Sequence, residues 1–257
     1  MKKLIYILLA IIFNCNAQEQ KIIVGLHNSD ILKAVYNNFN INSKSSKWIV
    51  KDDSIIKKFY KSDQFILFTS IKFIKDSIYI NNKRHAIIIT QSKPENYDCH
   101  PCGPLMGIIL LENVNNLWKI KYNKYLDLLG TWGEIPEPRI ELMGQQKYSV
   151  SFETGITGQG YTSTKLILYE IQEDNVNKVL IINDFAEDNE GVCDKSLNNC
   201  WGYFSTYYFE KSSNDYFDLI INTSGKKLEK NNINSFKITR IYRYANGQYN
   251  LTIQKVF

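Results

Sequence analysis

Histidine is scarce in this chain of 257 residues, which contains only His27, His85 and His100. A Ser-His-Asp triad would have to use one of these three, and no nucleophile-elbow motif accompanies any of them. Basic residues are scattered among acidic ones rather than gathered in a run, so the sequence does not predict nucleic acid as a partner. Beyond the N-terminus, no segment has the eighteen or so consecutive apolar residues that a membrane helix needs. The sequence predicts no cofactor and no metal site.

The first seventeen residues have the layout of a bacterial export signal. Lys2 and Lys3 precede an apolar run over residues 4–13, and Ala17 offers a small residue at a cleavage position. The run is too short to span a bilayer. We therefore expect residues 1–17 to be a signal peptide and the mature protein to be periplasmic or extracellular.

Cys15 provides an alternative reading of the same segment. A lipoprotein peptidase cutting before Cys15 would leave an acylated N-terminus and anchor the protein at a membrane. Ile12 suits that alternative, whereas Asn14 is a poor residue immediately before a cut. Ordinary cleavage after Ala17 is the favoured interpretation.

The start of the mature chain has the spacing of amphipathic helices. Ser29 can cap a first helix, and Asp53 or Ser54 can cap a second. We expect residues 18–62 to form a helical segment packed on a β domain that spans residues 63–257. The apolar positions that share a helical face are Ile31, Leu32, Val35, Tyr36 and Phe39 in the first helix and Ile55, Ile56, Phe59 and Tyr60 in the second.

From about residue 64 the apolar pattern changes to a period of two, which predicts strands. The clearest case is at the C-terminus, where Asn246-Gly247 separates two alternating segments and predicts a β-hairpin with a tight turn. The apolar residues that lead into this turn are Phe236, Ile238, Tyr242 and Tyr244.

The strand segments fall into three weakly similar groups of four, spaced by about 60–70 residues. The first choice for the fold is therefore a mainly β protein whose antiparallel meander units form a propeller-like array. Three units are few for a closed propeller, whose blades usually number four to eight. A large β-sandwich is the alternative.

The sequence Cys99-His100-Pro101-Cys102 has the C-x-x-C spacing of thiol-disulfide oxidoreductases. Such a redox site, with Cys99, Cys102 and His100 as its residues, normally places the first cysteine at a helix N-terminus, and here an apolar strand follows instead. In an exported protein a structural disulfide is the favoured interpretation, with Cys193 and Cys200 as a second pair. Pairing between the two segments stays open, and a zinc site is the least favoured option.

The loop around Trp132 combines an aromatic side chain with two carboxylates, Glu134 and Glu137. Paired acids beside an aromatic platform suit glycan binding or glycosidic chemistry. The favoured interpretation is simpler, because Gly130 and Gly133 with the nearby prolines can shape a connection between strands.

The segment Cys99-His100-Pro101-Cys102-Gly103-Pro104, followed by an apolar strand and Trp118, resembles uncharacterised exported bacterial proteins that carry a C-H-x-C-[AG]-P element. Gly158-Gln159-Gly160-Tyr161 belongs to the same pattern, so the resemblance covers roughly residues 85–170. It implies no known activity and marks the cysteine pair as a family feature.

These observations favour an exported, non-catalytic binding protein whose ligand is an unidentified protein or glycan. The alternative is an extracytoplasmic enzyme, either a thiol-disulfide oxidoreductase at Cys99 and Cys102 or a hydrolase that uses loop carboxylates.

Overall fold

The computed structural model describes residues 21–51, 64–229 and 232–257, and these residues are mainly β-structure. They form two antiparallel sheets, one α-helix and one short 3-10 helix at Lys195–Leu197. The predicted signal peptide, Cys15 and the predicted second helix over residues 55–60 lie outside the described residues. Within the described ranges no helix is long and apolar enough to cross a membrane.

The first sheet has six strands in the spatial order β1-β6-β5-β4-β3-β2. Each strand from β2 to β6 pairs with the next one in sequence, and β1 pairs with the outer edge of β6. The strands are β1 (Ile22–Ile23), β2 (Ser46–Lys51), β3 (Gln64–Ile80), β4 (Lys83–Lys93), β5 (Leu105–Val114) and β6 (Leu117–Leu128).

The second sheet has eight strands that follow one another in space as they do in sequence. They are β7 (Arg139–Gly144), β8 (Lys147–Gly158), β9 (Tyr161–Ile171), β10 (Val176–Asp188), β11 (Gly202–Glu210), β12 (Asp218–Glu229), β13 (Asn232–Ala245) and β14 (Gln248–Val256). The last two form the predicted C-terminal hairpin, whose turn residues Asn246 and Gly247 have φ values of 55° and 80°.

Asparagine supplies many of the tight turns between strands. Asn81-Asn82 and Asn115-Asn116 have positive φ values in the turns that join β3 to β4 and β5 to β6. Asparagine tolerates the left-handed region better than most residues because its short polar side chain bonds locally. The asparagine content therefore has a structural use in this meander.

One hydrophobic core joins the two sheets. Side chains from β3 to β6 on one face of the first sheet pack against side chains of β8, β9 and β10 on the second. The largest contributors are branched and aromatic residues, which suits strands buried on both faces. The core includes Ile87, Ile89, Ile108 and Leu110 from the first sheet and Val150, Phe152, Ile167 and Tyr169 from the second.

Helix α1 (Asn28–Tyr36) covers the other face of the first sheet. Ile31 is fully buried in a cluster with Ile88, Ile109 and Trp118. The predicted helix is confirmed, but its predicted cap is wrong. The N-cap residue is His27, which makes no side-chain cap hydrogen bond.

That helix also ends earlier than the spacing predicts. Its last residue is Tyr36, and Asn37 adopts a left-handed conformation with a φ of 60° that stops the helix before Phe39. Two strands, β1 and β2, also lie in the described part of the expected N-terminal helical segment and extend the first sheet.

The second sheet curls into a half-barrel. At the end of β7, Phe217 donates its N–H to the Met143 carbonyl at 2.9 Å, and Gln145 donates its N–H to the Asp215 carbonyl at 3.1 Å. These bonds bring the first strand of the sheet against the start of β12. The curled face encloses its own core, which includes Met143, Leu168, Phe185, Tyr207, Leu219, Ile221, Tyr242 and Tyr249.

The expected propeller-like array is wrong, because the described strands form two sheets rather than three separate units. The four-stranded meanders themselves are present as β3–β6, β7–β10 and β11–β14. The second and third meanders merge where Ala186 pairs with Phe204 and Asp188 pairs with Gly202. This short β10–β11 ladder turns two predicted blades into one sheet.

Candidate functional site

The cysteine motif forms a tight turn closed by a disulfide. The Cys102 N–H donates to the Cys99 carbonyl at 2.9 Å, and the two Cα atoms are 5.0 Å apart. No helix follows, since residues 102–104 are irregular and β5 begins at Leu105. A thiolate at Cys99 would therefore lack the helix dipole that usually lowers the pKa of such a sulfur.

The two cysteines of this motif differ in exposure. Cys99 is exposed, whereas Cys102 is buried with 9% of its surface accessible. The predicted second disulfide, Cys193–Cys200, is also present, with Cα atoms 4.9 Å apart. Both pairs are local, which answers the open question of connectivity.

The Trp132 loop packs directly on the cysteine turn. The main-chain N–H of Trp132 donates to the Cys99 carbonyl at 3.2 Å, and that of Gly133 donates to the Cys102 carbonyl at 2.7 Å. Leu129 N–H donates to the Pro104 carbonyl at 3.1 Å at the base of both segments. Two candidate sites that the sequence kept apart are therefore one structural unit, which we call the two-loop junction (residues 94–104 and 129–138).

The β5–β6 hairpin explains this convergence. Leu105 at the start of β5 pairs with Leu128 at the end of β6, so the segments before β5 and after β6 must emerge side by side. The sequence already contains part of this signal, because the Asn115-Asn116 turn between two apolar segments predicts that β5 and β6 pair as a hairpin.

Glycines allow the close approach at the junction. Gly130 has a φ of +85°, and a Cβ atom there would collide with the Glu134 carbonyl. Gly133 has a φ of +69°, and a Cβ atom would lie 2.6 Å from the Tyr97 carbonyl oxygen. Both positions require glycine, as expected for residues that shape a connection.

Trp132 presents its indole ring at the surface of the junction. It is 57% exposed and has a φ of +53°, which is uncommon for a bulky residue. Its ring centroid lies 5.4 Å from that of His100 at an interplanar angle of 53°. We call these two side chains the aromatic platform.

The two loop carboxylates are held by basic and amide side chains. Glu134 accepts hydrogen bonds from the Gln91 amide at 3.0 and 3.1 Å, and its carboxylate lies 3.6 Å from the Lys72 ammonium. Glu137 contacts the same Lys72 at 3.0 Å, and this hydrogen bond raises the pKa of Lys72. Lys93 is also near Glu134, at 3.9 Å.

A cavity of about 310 Å³ lies between the two-loop junction and the second sheet. Pro101 and Thr131, the chain neighbours of His100 and Trp132, form part of its wall. The opposite wall comes from β8, β9 and β10 of the second sheet. Its polar lining side chains are Thr131, Thr154, Ser163, Lys165 and Asn183.

The remaining histidines do not join the junction. His85 is fully buried in β4, where its Nδ1 lies 2.9 Å from the Lys83 carbonyl, and burial lowers its pKa. His27 is the N-cap residue of α1.

A buried carboxylate that sequence reasoning missed lies in the half-barrel core. Glu170 is 2% exposed and accepts hydrogen bonds from the hydroxyl groups of Tyr216 and Tyr244, whose rings stack 3.7 Å apart. Burial and the contact with Glu170 raise the pKa of Tyr216 to about 12. The only sequence signal is a charge at an inward position after Leu166 and Leu168, and the satisfied hydrogen bonds make it a structural group.

No group of three or more metal-ligating side chains occurs among the described residues. In comparisons with known proteins, no family model, no curated protein and no solved structure matches the chain.

Proposed function

We propose that the chain is an exported, non-catalytic protein that binds a glycan at the aromatic platform and the cavity between the two-loop junction and the second sheet. The observation that carries this proposal is the exposed Trp132 ring, held on a loop that is hydrogen-bonded to a disulfide-closed turn. A rigid aromatic side chain offers a large contact area at a low cost in conformational entropy.

The cavity supports a glycan rather than a protein as the ligand. Sugars present apolar C–H faces and many hydroxyl groups. Trp132 follows Thr131 in the chain, and Thr131 lines the cavity together with hydroxyl, amide and amine side chains at Thr154, Ser163, Asn183 and Lys165. Few convergent polar groups beside an apolar surface are typical of small-ligand sites.

The fold and the compartment belong to the same proposal. We infer a two-sheet β-sandwich with one curled sheet, a signal peptide over residues 1–17, and an oxidising compartment in which Cys99–Cys102 and Cys193–Cys200 persist. Mass measurement of the mature N-terminus distinguishes cleavage after Ala17 from a lipid anchor at Cys15. A chain that starts at Gln18 supports the first, and an acylated Cys15 supports the second.

A glycan array tests the binding function. We expect the oxidised protein to bind at least one class of immobilised glycan, and we expect Trp132→Asn to remove that binding. Asparagine deletes the ring but tolerates the left-handed backbone at this position. Phe204→Ala is the matched control, because Phe204 is 61% exposed but lies on β11 outside the junction. An array with no bound glycan, or equal binding by Trp132→Asn, would contradict the proposal.

A thiol-disulfide oxidoreductase is the second candidate, because an exposed Cys99 beside a buried Cys102 resembles an attacking and a resolving sulfur. Thiol labelling after mild reduction tests it. Rapid reduction and exchange at Cys99 would support this candidate, and a disulfide that stays oxidised and inert would exclude it. The hydrolase alternative has no such support, since Glu134 and Glu137 both contact Lys72.

A further inference from the structure

A second cavity, of about 330 Å³, lies within the half-barrel beyond its hydrophobic core. Tyr203 on β11 precedes the core residue Tyr207 by four positions, and Arg240 on β13 precedes Tyr242 by two. Because side chains alternate along a strand, all four share the inward face of the curled sheet. The cavity is therefore a continuation of the core in which the apolar filling stops.

Aromatic and aliphatic side chains form one wall of this cavity. The rings of Tyr203 and Phe236 meet edge to face with centroids 5.5 Å apart. Ile238 and Val256 extend the same wall along β13 and β14. This surface suits the apolar body of a small ligand.

Arg240 occupies a position where the strand pattern calls for an apolar side chain. It interrupts the inward series Phe236, Ile238, Tyr242 and Tyr244, and its side chain is only 15% exposed. Its Nη2 donates to Asp184 at 3.1 Å and its Nε donates to Gln254 at 3.3 Å. Among the described residues its buried Nη1 has no hydrogen-bond partner.

Tyr203 adds a second buried polar group to the same cavity. The residue is 6% exposed, and burial together with a hydrogen bond to the Glu187 carboxylate raises its pKa. Among the described residues, Arg240 Nη1 is therefore the buried donor at this cavity that lacks a partner. Buried polar groups without partners are rare in folded proteins, so this donor calls for a ligand that satisfies it.

The charges that line the cavity do not select a strongly charged ligand. Lys227 and Arg240 balance Asp184 and Glu229 in formal charge. The Arg240 group that lacks a partner is a donor, so the ligand must supply an acceptor oxygen.

We propose that this cavity binds a small acyl compound, whose carbonyl or carboxylate oxygen accepts a hydrogen bond from the Arg240 guanidinium while its alkyl chain lies against Tyr203 and Phe236. The site is separate from the two-loop junction and does not depend on glycan binding. Its ligand is recognised by one charge-assisted hydrogen bond and an apolar wall.

Isothermal titration calorimetry with octanoate, octanamide and octylamine tests the proposal. We expect the two acyl compounds to bind at a ratio of one to one, and octylamine, which has no acceptor oxygen, to bind at least about tenfold more weakly. Tighter binding of octanoate than of octanamide identifies a carboxylic acid ligand, and the reverse order identifies a neutral acyl compound. Both orders support the site.

Arg240→Met removes the donor and should weaken binding of the acyl compounds by roughly tenfold or more. The matched control is Arg243→Met on the same strand, since Arg243 is 59% exposed and pairs with Asp218 at 3.2 Å. Ile238→Trp fills the cavity and leaves Arg240 in place, so it tests the site even if Arg240→Met fails to fold. It should abolish binding with a cooperative thermal transition retained.

Absence of binding by both acyl compounds, equal binding of octylamine, or unchanged affinity in a folded Arg240→Met or Ile238→Trp variant would overturn the proposal. Trp132→Asn should bind the acyl compounds as the unaltered protein does. This result separates failure of this site from failure of the aromatic platform.

Discussion

The two disulfide-closed loops differ in the hydrogen bonds that they make with the rest of the protein. The Cys99–Cys102 turn is bonded to another loop, because its carbonyl groups accept hydrogen bonds from Trp132 and Gly133. The Cys193–Cys200 loop is satisfied mainly within itself and its flanks, where the Asn189 side chain bonds to the Asn199 carbonyl at 3.0 Å and to the Trp201 N–H at 2.8 Å.

This difference shows that a short disulfide can position two loops relative to each other or can order a single loop. The first fixes the position of two loops relative to each other, and so positions the aromatic platform. The second organises a single loop, which contacts the neighbouring hairpin where Gly191 N–H donates to the Gly160 carbonyl at 3.1 Å. Removal of the Cys99–Cys102 disulfide should therefore reduce the stability of the protein by more than the length of its loop predicts.

The largest effect should come from adding a methyl group inside the two-loop junction. Gly130→Ala forces a side chain into a left-handed conformation and against the Glu134 carbonyl, so we expect a loss of about 3 kcal/mol in the free energy of unfolding. Urea denaturation measures it. Gly158→Ala is the control, because nothing lies within 4 Å of its Cβ position, and it should stay within about 0.5 kcal/mol of the parent protein. Equal stability of the two variants would show that the junction is not tightly packed.

Removal of each disulfide tests the comparison itself. Loop closure alone predicts losses of about 1.9 kcal/mol for Cys99→Ala/Cys102→Ala and about 2.5 kcal/mol for Cys193→Ala/Cys200→Ala. We expect the order to be reversed, because the first variant also releases the contacts between two loops. Urea denaturation of both double variants decides the matter. A smaller loss for the first variant than for the second would contradict the distinction drawn between them.

The smallest expected effect is on the pH dependence of stability and comes from His85 on β4, the strand that precedes the Cys99–Cys102 loop. Burial lowers the pKa of His85 below its ordinary value of 6.5 in the folded protein, so the unfolded chain binds a proton more readily. Stability should therefore be full above pH 6.5 and fall as the pH drops towards the folded pKa. His85→Asn should flatten this part of the stability profile measured by thermal unfolding between pH 7 and 4.5. An unchanged slope in the variant would assign the acid sensitivity to other groups.

Much of the local structure could be predicted from the sequence. The alternation around Phe236 and Ile238 and the Asn246-Gly247 turn specify the C-terminal hairpin through short-range preferences. The close spacing of the cysteines also favours the two local disulfides, but the sequence left pairing between the two segments open until the structure showed both local pairs. These features depend on residues near one another in the chain.

The merger of the second and third meanders could not be predicted in the same way. It depends on three residue pairs between β10 and β11, which a long loop containing the second disulfide separates. No turn fixes their register, so nothing local distinguishes one continuous sheet from two blades.

The candidate site was predictable in its parts and not in its assembly. Trp132, Glu134 and Cys99 all stand out as residue types, but their contacts depend on the β5–β6 hairpin. The ion pairs of Glu134 and Glu137 could not be predicted, because their partner Lys72 lies on β3. Lys72 is remote in sequence and becomes a neighbour only through the pairing of strands in the sheet.

The most direct test of the account is the affinity of a glycan selected on the array for the parent protein and three variants, measured by calorimetry. We predict that Trp132→Asn and Cys99→Ala/Cys102→Ala each weaken binding by at least about tenfold, whereas Cys193→Ala/Cys200→Ala binds as the parent protein does. Equal affinity of all three variants would contradict the claim that the first disulfide holds Trp132 in a binding surface.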